Sequence, residues 1–237
     1  MLSVLLAKVP SLASLLSANM FSNLVSGLMF GLFLYAAGIV ATLYSNMGMS
    51  PWDVFHVGIA NHTPLTLGQV SQITGLVIIF LSYFIGVMPG LASIMNMYFI
   101  GLFIDVINSM GIFKIPATFL GGFLLLISGI LMIGWATYFY LKVQLGAGPR
   151  DGLMEGLVKK IKKPVWIIRG AIEVTVLIIG YILGGPVGIG TIITAFTIGI
   201  SVQWAFKVGK YDPKSTEHED IIKTIENIKK KEDIYST

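Results

Sequence analysis

Two short runs in this sequence repeat each other and end on aspartate: Gly48-Met49-Ser50-Pro51-Trp52-Asp53 and Gly146-Ala147-Gly148-Pro149-Arg150-Asp151. Both read Gly-x-x-Pro-x-Asp. Proline suits the first position of a helix, where its missing N–H leaves no partner wanting. A carboxylate in the first turn meets the positive end of the helix dipole, and Ser50 can cap the first copy. The spacing therefore predicts short helices over about 51–61 and 149–160, too short to cross a bilayer. Helix starts of this kind can present backbone N–H groups or a carboxylate to a solute. The plainer reading makes Asp53 and Asp151 caps of connecting helices.

A second pair of runs is rich in glycine: 86–93, with Pro89, Gly90 and Ser93, and 184–191, with Gly188, Gly190 and Thr191. Ser93 and Thr191 are candidate caps for helices that begin inside the membrane. Irregular backbone at that depth is tolerated only where it is buried in protein or lines a cavity. A tight hairpin at the surface is the alternative, and the residues alone do not separate the two.

Three charges stand within long apolar stretches: Asp105, Arg169 and Glu173. Such charges are costly and mark candidate pathways. Arg169 and Glu173 are four apart on one helix face and can pair. Arg169 can equally snorkel to the interface. Gln72 is expected near the depth of Asp105, whose own half offers no cation, so Asp105 is the preferred candidate for proton coupling or substrate contact. Gln203 is expected beside Arg169 and Glu173. His56 and His62 lack a third ligand at metal spacing and read as interfacial residues, so no metal site is expected. No phosphate-binding loop and no nucleophile–base set is present, so neither a cofactor nor an enzyme is expected. The chain contains no cysteine.

The elements that must position these residues are apolar helices. Of 237 residues, 55% are hydrophobic and only 12% charged, with mean hydropathy +0.82. No formal charge occurs over 9–52, 54–104, 115–141 or 174–206. Such stretches cannot present a solvated face, which excludes the soluble classes and makes the bilayer the expected partner. The basic pI then reads as topology rather than as a nucleic-acid footprint, and no nucleic-acid partner is expected. Six spans fit: 24–44, 67–86, 91–112, 117–141, 165–183 and 187–206. Of the 16 Lys and Arg residues, all but Lys114 and Arg169 then fall on one side with both termini. The positive-inside rule makes that side cytoplasmic.

Shifting the chain by 98 residues aligns its two halves without a gap from Gly31 to Val106. Gly48, Pro51, Asp53 and Gly58 meet Gly146, Pro149, Asp151 and Gly156, and Tyr83, Gly86 and Gly90 meet Tyr181, Gly184 and Gly188. The order of elements repeats as well. Three spans per unit is an odd number, so the second unit enters the membrane from the opposite side. The expected architecture is all-α, two inverted three-helix repeats about a pseudo-two-fold axis in the membrane plane. The organisation is an N-terminal interfacial amphipathic helix over 1–23, repeat one over 24–112, repeat two over 117–206 and a basic cytoplasmic tail over 207–237. In the tail, Thr216 with Glu219 makes a capping box before the stripe Ile221, Ile225 and Ile228.

Gly48–Val54, Gly146–Met154 and Gly188–Ile192 are also the runs in which the chain resembles the YczE/YitT-like group of bacterial integral membrane proteins. The likeness covers about 27–206 and implies a bacterial cytoplasmic-membrane location, with little said of mechanism. The leading expectation is a secondary transporter or facilitator of a small solute working by alternating access. The alternative is a non-transporting scaffold that recruits a cytoplasmic partner through the tail. Self-association as a homo-oligomer is compatible with either.

Overall fold

The apolar runs form helices of nearly the expected lengths. The computed structural model describes the backbone of residues 12–146 and 148–211, with side chains from residue 25 onward. These residues make eight α-helices: α1 Leu12–Tyr44, α2 Pro51–Ala60, α3 Leu67–Phe84, α4 Leu91–Ser109, α5 Phe119–Leu141, α6 Pro149–Ile161, α7 Val165–Ile182 and α8 Ile189–Val208. Six of them, all but α2 and α6, are long and apolar enough to cross a membrane. Large apolar side chains such as Phe84, Phe119, Trp166 and Phe196 stand on the outer surface. An exterior of this kind is solvated by lipid, and the chain is an integral membrane protein.

α1 runs unbroken past residue 24, where the sequence suggests a boundary between an interfacial helix and the first span. At about 1.5 Å per residue it is ~50 Å long, more than a hydrocarbon core of ~30 Å requires. Residues 1–11, the tail from 212 and the expectations placed on both lie outside the described residues.

The core is the crossing of α1 and α5. A Cβ at Gly38 would sit 2.8 Å from the Gly129 carbonyl, and one at Gly31 would sit 3.2 Å from that of Ala136. Small residues here let two backbones touch, which is how helices gain dispersion energy in a lipid surround. Leu28, Leu32, Ile39, Ile104 and Ile133 fill the space around the crossing.

Within each half α4 lies on α1 and α8 on α5, while between halves α2 packs on α7 and α6 on α3. Backbone hydrogen bonds also cross between the halves. The Ala92 N–H donates to the Leu145 carbonyl at 2.8 Å, and its counterpart 98 residues on, the Gly190 N–H, donates to the Met47 carbonyl at 2.7 Å. Gly48 and Gly146 hold φ of 105° and 118°, a region that glycine alone occupies without strain. Each also lies against the other half's glycine turn: a Cβ at Gly48 would meet the Thr191 hydroxyl at 2.5 Å, and one at Gly146 the Gly90 Cα at 2.7 Å.

The two turns lead into helices whose N-cap residues are Gly90 and Gly188, not Ser93 and Thr191. Those two side chains act from inside the first turn, accepting the Gly90 and Gly188 N–H groups at 3.2 Å each. Pro89 precedes the first of these helices and is partly buried.

One contact breaks the correspondence. α3 packs along α4, whereas α7 makes no comparable contact with α8.

Candidate functional site

Ser50 sets the start of α2. Its hydroxyl accepts the Asp53 N–H at 3.4 Å and donates to Asp53 Oδ2. The local sequence thus holds Asp53 in the first turn, as Pro51 at N1 and the capping serine predict. His56 lies one turn on, with Nδ1 3.9 Å from Asp53 Oδ1. Both side chains are nearly sealed from solvent, Asp53 at 3% and His56 at 2% exposure.

The start of α6 faces that of α2. Arg150 reaches from α6 to within 4.0 Å of Asp53 Oδ1, and its guanidinium lies 4.9 Å from the centre of the Trp52 ring. Trp52 and Arg150 occupy the same place in the two Gly-x-x-Pro-x-Asp runs, so the second half's cation stacks on the first half's aromatic ring. Asp151 lies beside Tyr140, whose hydroxyl donates to it at 3.4 Å.

Electrostatics follow from this burial. Loss of water raises the Asp53 carboxyl above its ordinary range, against the opposing pull of Arg150 and the Ser50 hydrogen bond. Burial holds His56 well below its ordinary value, and repulsion from Arg150 pushes the same way. His56 is therefore neutral at pH 7 and offers one donor and one acceptor nitrogen.

These groups line a cavity of about 630 Å³ between the halves. Every first-half residue of its wall except Ile78 has its counterpart 98 positions on in the wall as well. Asp53 faces in with Asp151, His56 with Met154, Asn96 with Thr194 and Gly75 with Glu173. The second half adds a strip along α8, Gly199, Val202, Gln203 and Phe206, so the cavity extends into the gap between α7 and α8. Three buried polar atoms of residues at its wall, Asp53 Oδ1, His56 Nε2 and Thr194 Oγ1, have no hydrogen-bond partner among the described residues. Buried polar groups are costly when unpaired, so the three mark a place built for a polar guest.

Of the residues singled out from sequence, Ser50, Pro51, Asp53, Pro149, Asp151, Arg169, Glu173 and Gln203 come together on this cavity. Arg169 and Glu173 pair, Nε to Oε1, at 3.0 Å near its mouth. Asp105 and Gln72 lie elsewhere, in the α3–α4 seam. Asp105 accepts the Thr66 hydroxyl and, at 2.9 Å, the Gly68 N–H, so it ties the start of α3 to α4. Gln72 donates to the Tyr98 carbonyl at 2.8 Å. Gly48, Gly146, Pro89, Gly90, Ser93, Gly188, Gly190 and Thr191 are outside the wall; the glycine loops and turns among them brace the helix starts.

Sequence reasoning passed over Arg150, Trp52, Thr194 and Tyr140, and it read His56 as interfacial, whereas the structure buries it at the cavity wall. Some signal was there. Arg150 and Trp52 fill the variable fifth place of the repeated run, and His56 is one helical turn from Asp53. Asn96 and Thr194 are polar residues at matching places in apolar helices. Tyr140 carried none, since an aromatic ring in a span usually marks packing or an interface.

Residues 24–207 match the model of a family described as a family of unknown function (DUF6198). The chain is 37% identical over 179 residues to an uncharacterized membrane protein, YczE, of Bacillus subtilis, covering 74% of this chain and 81% of that one. It is 32% identical over 184 residues to an uncharacterized protein of Haemophilus influenzae, covering 78% and 84%. It is also 26% identical over 170 residues to an uncharacterized B. subtilis protein, YyaS, covering 69% and 83%. No solved structure matches the chain.

Proposed function

This chain belongs to the family of unknown function DUF6198, and from that premise we propose that it is a secondary transporter or facilitator of a small solute in the bacterial cytoplasmic membrane. The observation that carries the reading is the cavity itself: a chamber with a polar centre whose wall is built from matched residues of both halves and which extends into one seam only. In this reading the two units are inverted repeats, and α2 and α6 are half-helices that start near mid-membrane and run outward to opposite faces. The exchanged hydrogen bonds Ala92–Leu145 and Gly190–Met47 support such an axis.

The mouth at Gln203 and Phe206 adjoins Lys207, on the side that the basic residues assign to the cytoplasm. On this reading the parted α7–α8 side is the inward one, and the α3–α4 seam is the closed outer gate. Alternating access requires that seam to part while α7 and α8 draw together.

The test is uptake of pooled labelled metabolites by liposomes containing the purified protein, with and without a proton gradient. Uptake that falls at least about tenfold in Asp53→Asn, with normal insertion, is the expected result. No uptake of any solute by folded protein would end the reading and leave a non-transporting scaffold.

A further inference from the structure

We propose that the cavity takes a small zwitterion with an apolar side group, of the amino-acid class, its ammonium at Asp53 and its carboxylate between Arg150 and the two helix starts. The inference rests on the reading of this cavity as a solute site and names what the site accepts.

Charge balance around the chamber is the first argument. Arg169 and Glu173 neutralise each other at the mouth. That leaves Asp53 and Asp151 against Arg150, an excess of one negative charge among the side chains. The opposed N-termini of α2 and α6, helices of 10 and 13 residues, each contribute roughly half a positive charge. The chamber is thus close to neutral as a whole but strongly polarised within. A lone cation or anion would leave charge uncompensated in a low-dielectric space, whereas a zwitterion leaves none.

The unpartnered atoms give the second argument. Asp53 Oδ1 is an acceptor without a donor, and Arg150 approaches it no closer than 4.0 Å, too far for a hydrogen bond. An ammonium placed there gains a charge-assisted bond and leaves the guanidinium, held on Trp52, to receive a carboxylate. His56 Nε2 on α2 and Thr194 Oγ1 on α8, both without a partner among the described residues, are free to supply further hydrogen bonds. Beyond this polar centre the wall is aliphatic, with Ile39, Ile100, Ile133 and Ile198, which fits an apolar side group.

The experiment follows thermal unfolding of the purified full-length protein in detergent, with a series of ligands. Leucine and phenylalanine should raise the midpoint by roughly 2–4 °C at concentrations well above Kd, and glycine should raise it less. N-acetylleucine lacks the ammonium and leucinamide lacks the carboxylate, so neither should shift it. Arg150→Gln, compared with its own midpoint without ligand, should lose the response to leucine. The proposal is overturned if N-acetylleucine or leucinamide matches leucine, if glycine matches leucine, or if no zwitterion shifts the midpoint. Failure here together with uptake of some other solute would discard the zwitterion and keep transport, whereas absence of all uptake would remove both.

Discussion

The α3–α4 seam and the α7–α8 seam are built from the same repeated unit, yet one is shut and the other parted. Four substitutions between the halves explain the difference. Where α3 and α4 cross, Gly68 and Gly101 press backbone on backbone, Asp105 holds the Thr66 hydroxyl and the Gly68 N–H, and Gln72 bonds to Tyr98. The corresponding places in the second half hold Trp166 for Gly68, Pro164 for Thr66, Gln203 for Asp105 and Gly170 for Gln72. Only Gly199 keeps the glycine of its counterpart Gly101, and it has nothing within 4 Å of its Cβ direction. Repetition of an apolar pattern therefore reproduces helices but not their contacts. A seam closes where small residues and a hydrogen-bonded clasp coincide.

The largest difference expected between the seams is one of access. The chain has no cysteine, so single cysteines are clean probes. Ile104, on the α4 side of the shut seam, is buried in the core, and its counterpart Val202 lines the cavity. A water-soluble maleimide should label Val202→Cys at least about tenfold faster than Ile104→Cys, the ratio expected when opening a closed seam costs about 1.4 kcal/mol or more. Equal rates would mean that the seams do not differ.

Packing supplies the next effect. Gly101→Ala should lower stability by about 1–3 kcal/mol, because the new methyl group meets the Gly68 carbonyl and the Gln72 side chain. Gly199→Ala should change it by no more than ~0.5 kcal/mol. Thermal midpoints of the two variants in the same detergent decide the matter, and similar losses would break the comparison.

A third effect comes from pH, and it belongs to the first half alone, since His56 is matched by Met154. His56 is neutral when folded, because burial lowers its pKa well below 6.5. As pH falls below 6.5 the unfolded chain takes up a proton that the folded chain refuses, so stability drops. The loss reaches about 1.4 kcal/mol one pH unit lower. Asp53 acts with the opposite sign: its raised carboxyl returns stability as pH falls through its folded pKa. The wild-type chain compared with His56→Met between about pH 7.5 and pH 5.5 isolates the histidine. A variant that still loses as much stability on acidification would show that the proton goes elsewhere.

Much of the fold was legible in advance. Apart from the start of α1, which lies twelve residues before the expected boundary at 24, the six spans and both short helices fall within three residues of the expected ends, because hydrophobic runs and Pro-x-Asp starts are local signals. The site was legible in part. Asp53 and Asp151 stood out through repetition, and Arg169 and Glu173 through being charges in apolar helices. Asp105 stood out on the same ground, but the structure places it in the closed seam. A charge in a span is costly wherever it lies, so its presence signals a need for partners without saying which. For Asp105 those partners are a hydroxyl and a backbone N–H. His56 was obscured by the opposite problem, since a lone histidine near a helix start resembles any interfacial residue.

The sequence by itself determined that this chain is helical, crosses a membrane and consists of two similar halves. Those properties follow from composition and periodicity, which every segment carries within itself. Tertiary structure alone decided that Asp53 meets Arg150, 97 positions away, and that three residues with buried, unpartnered polar atoms line one chamber. That meeting depends on where two loops turn back. Their path is held by Gly48 and Gly146 against the opposite half's glycine turns, at a closeness no side chain would permit. Contacts of this kind are set by the fit of one backbone against another, and no run of residues contains both surfaces.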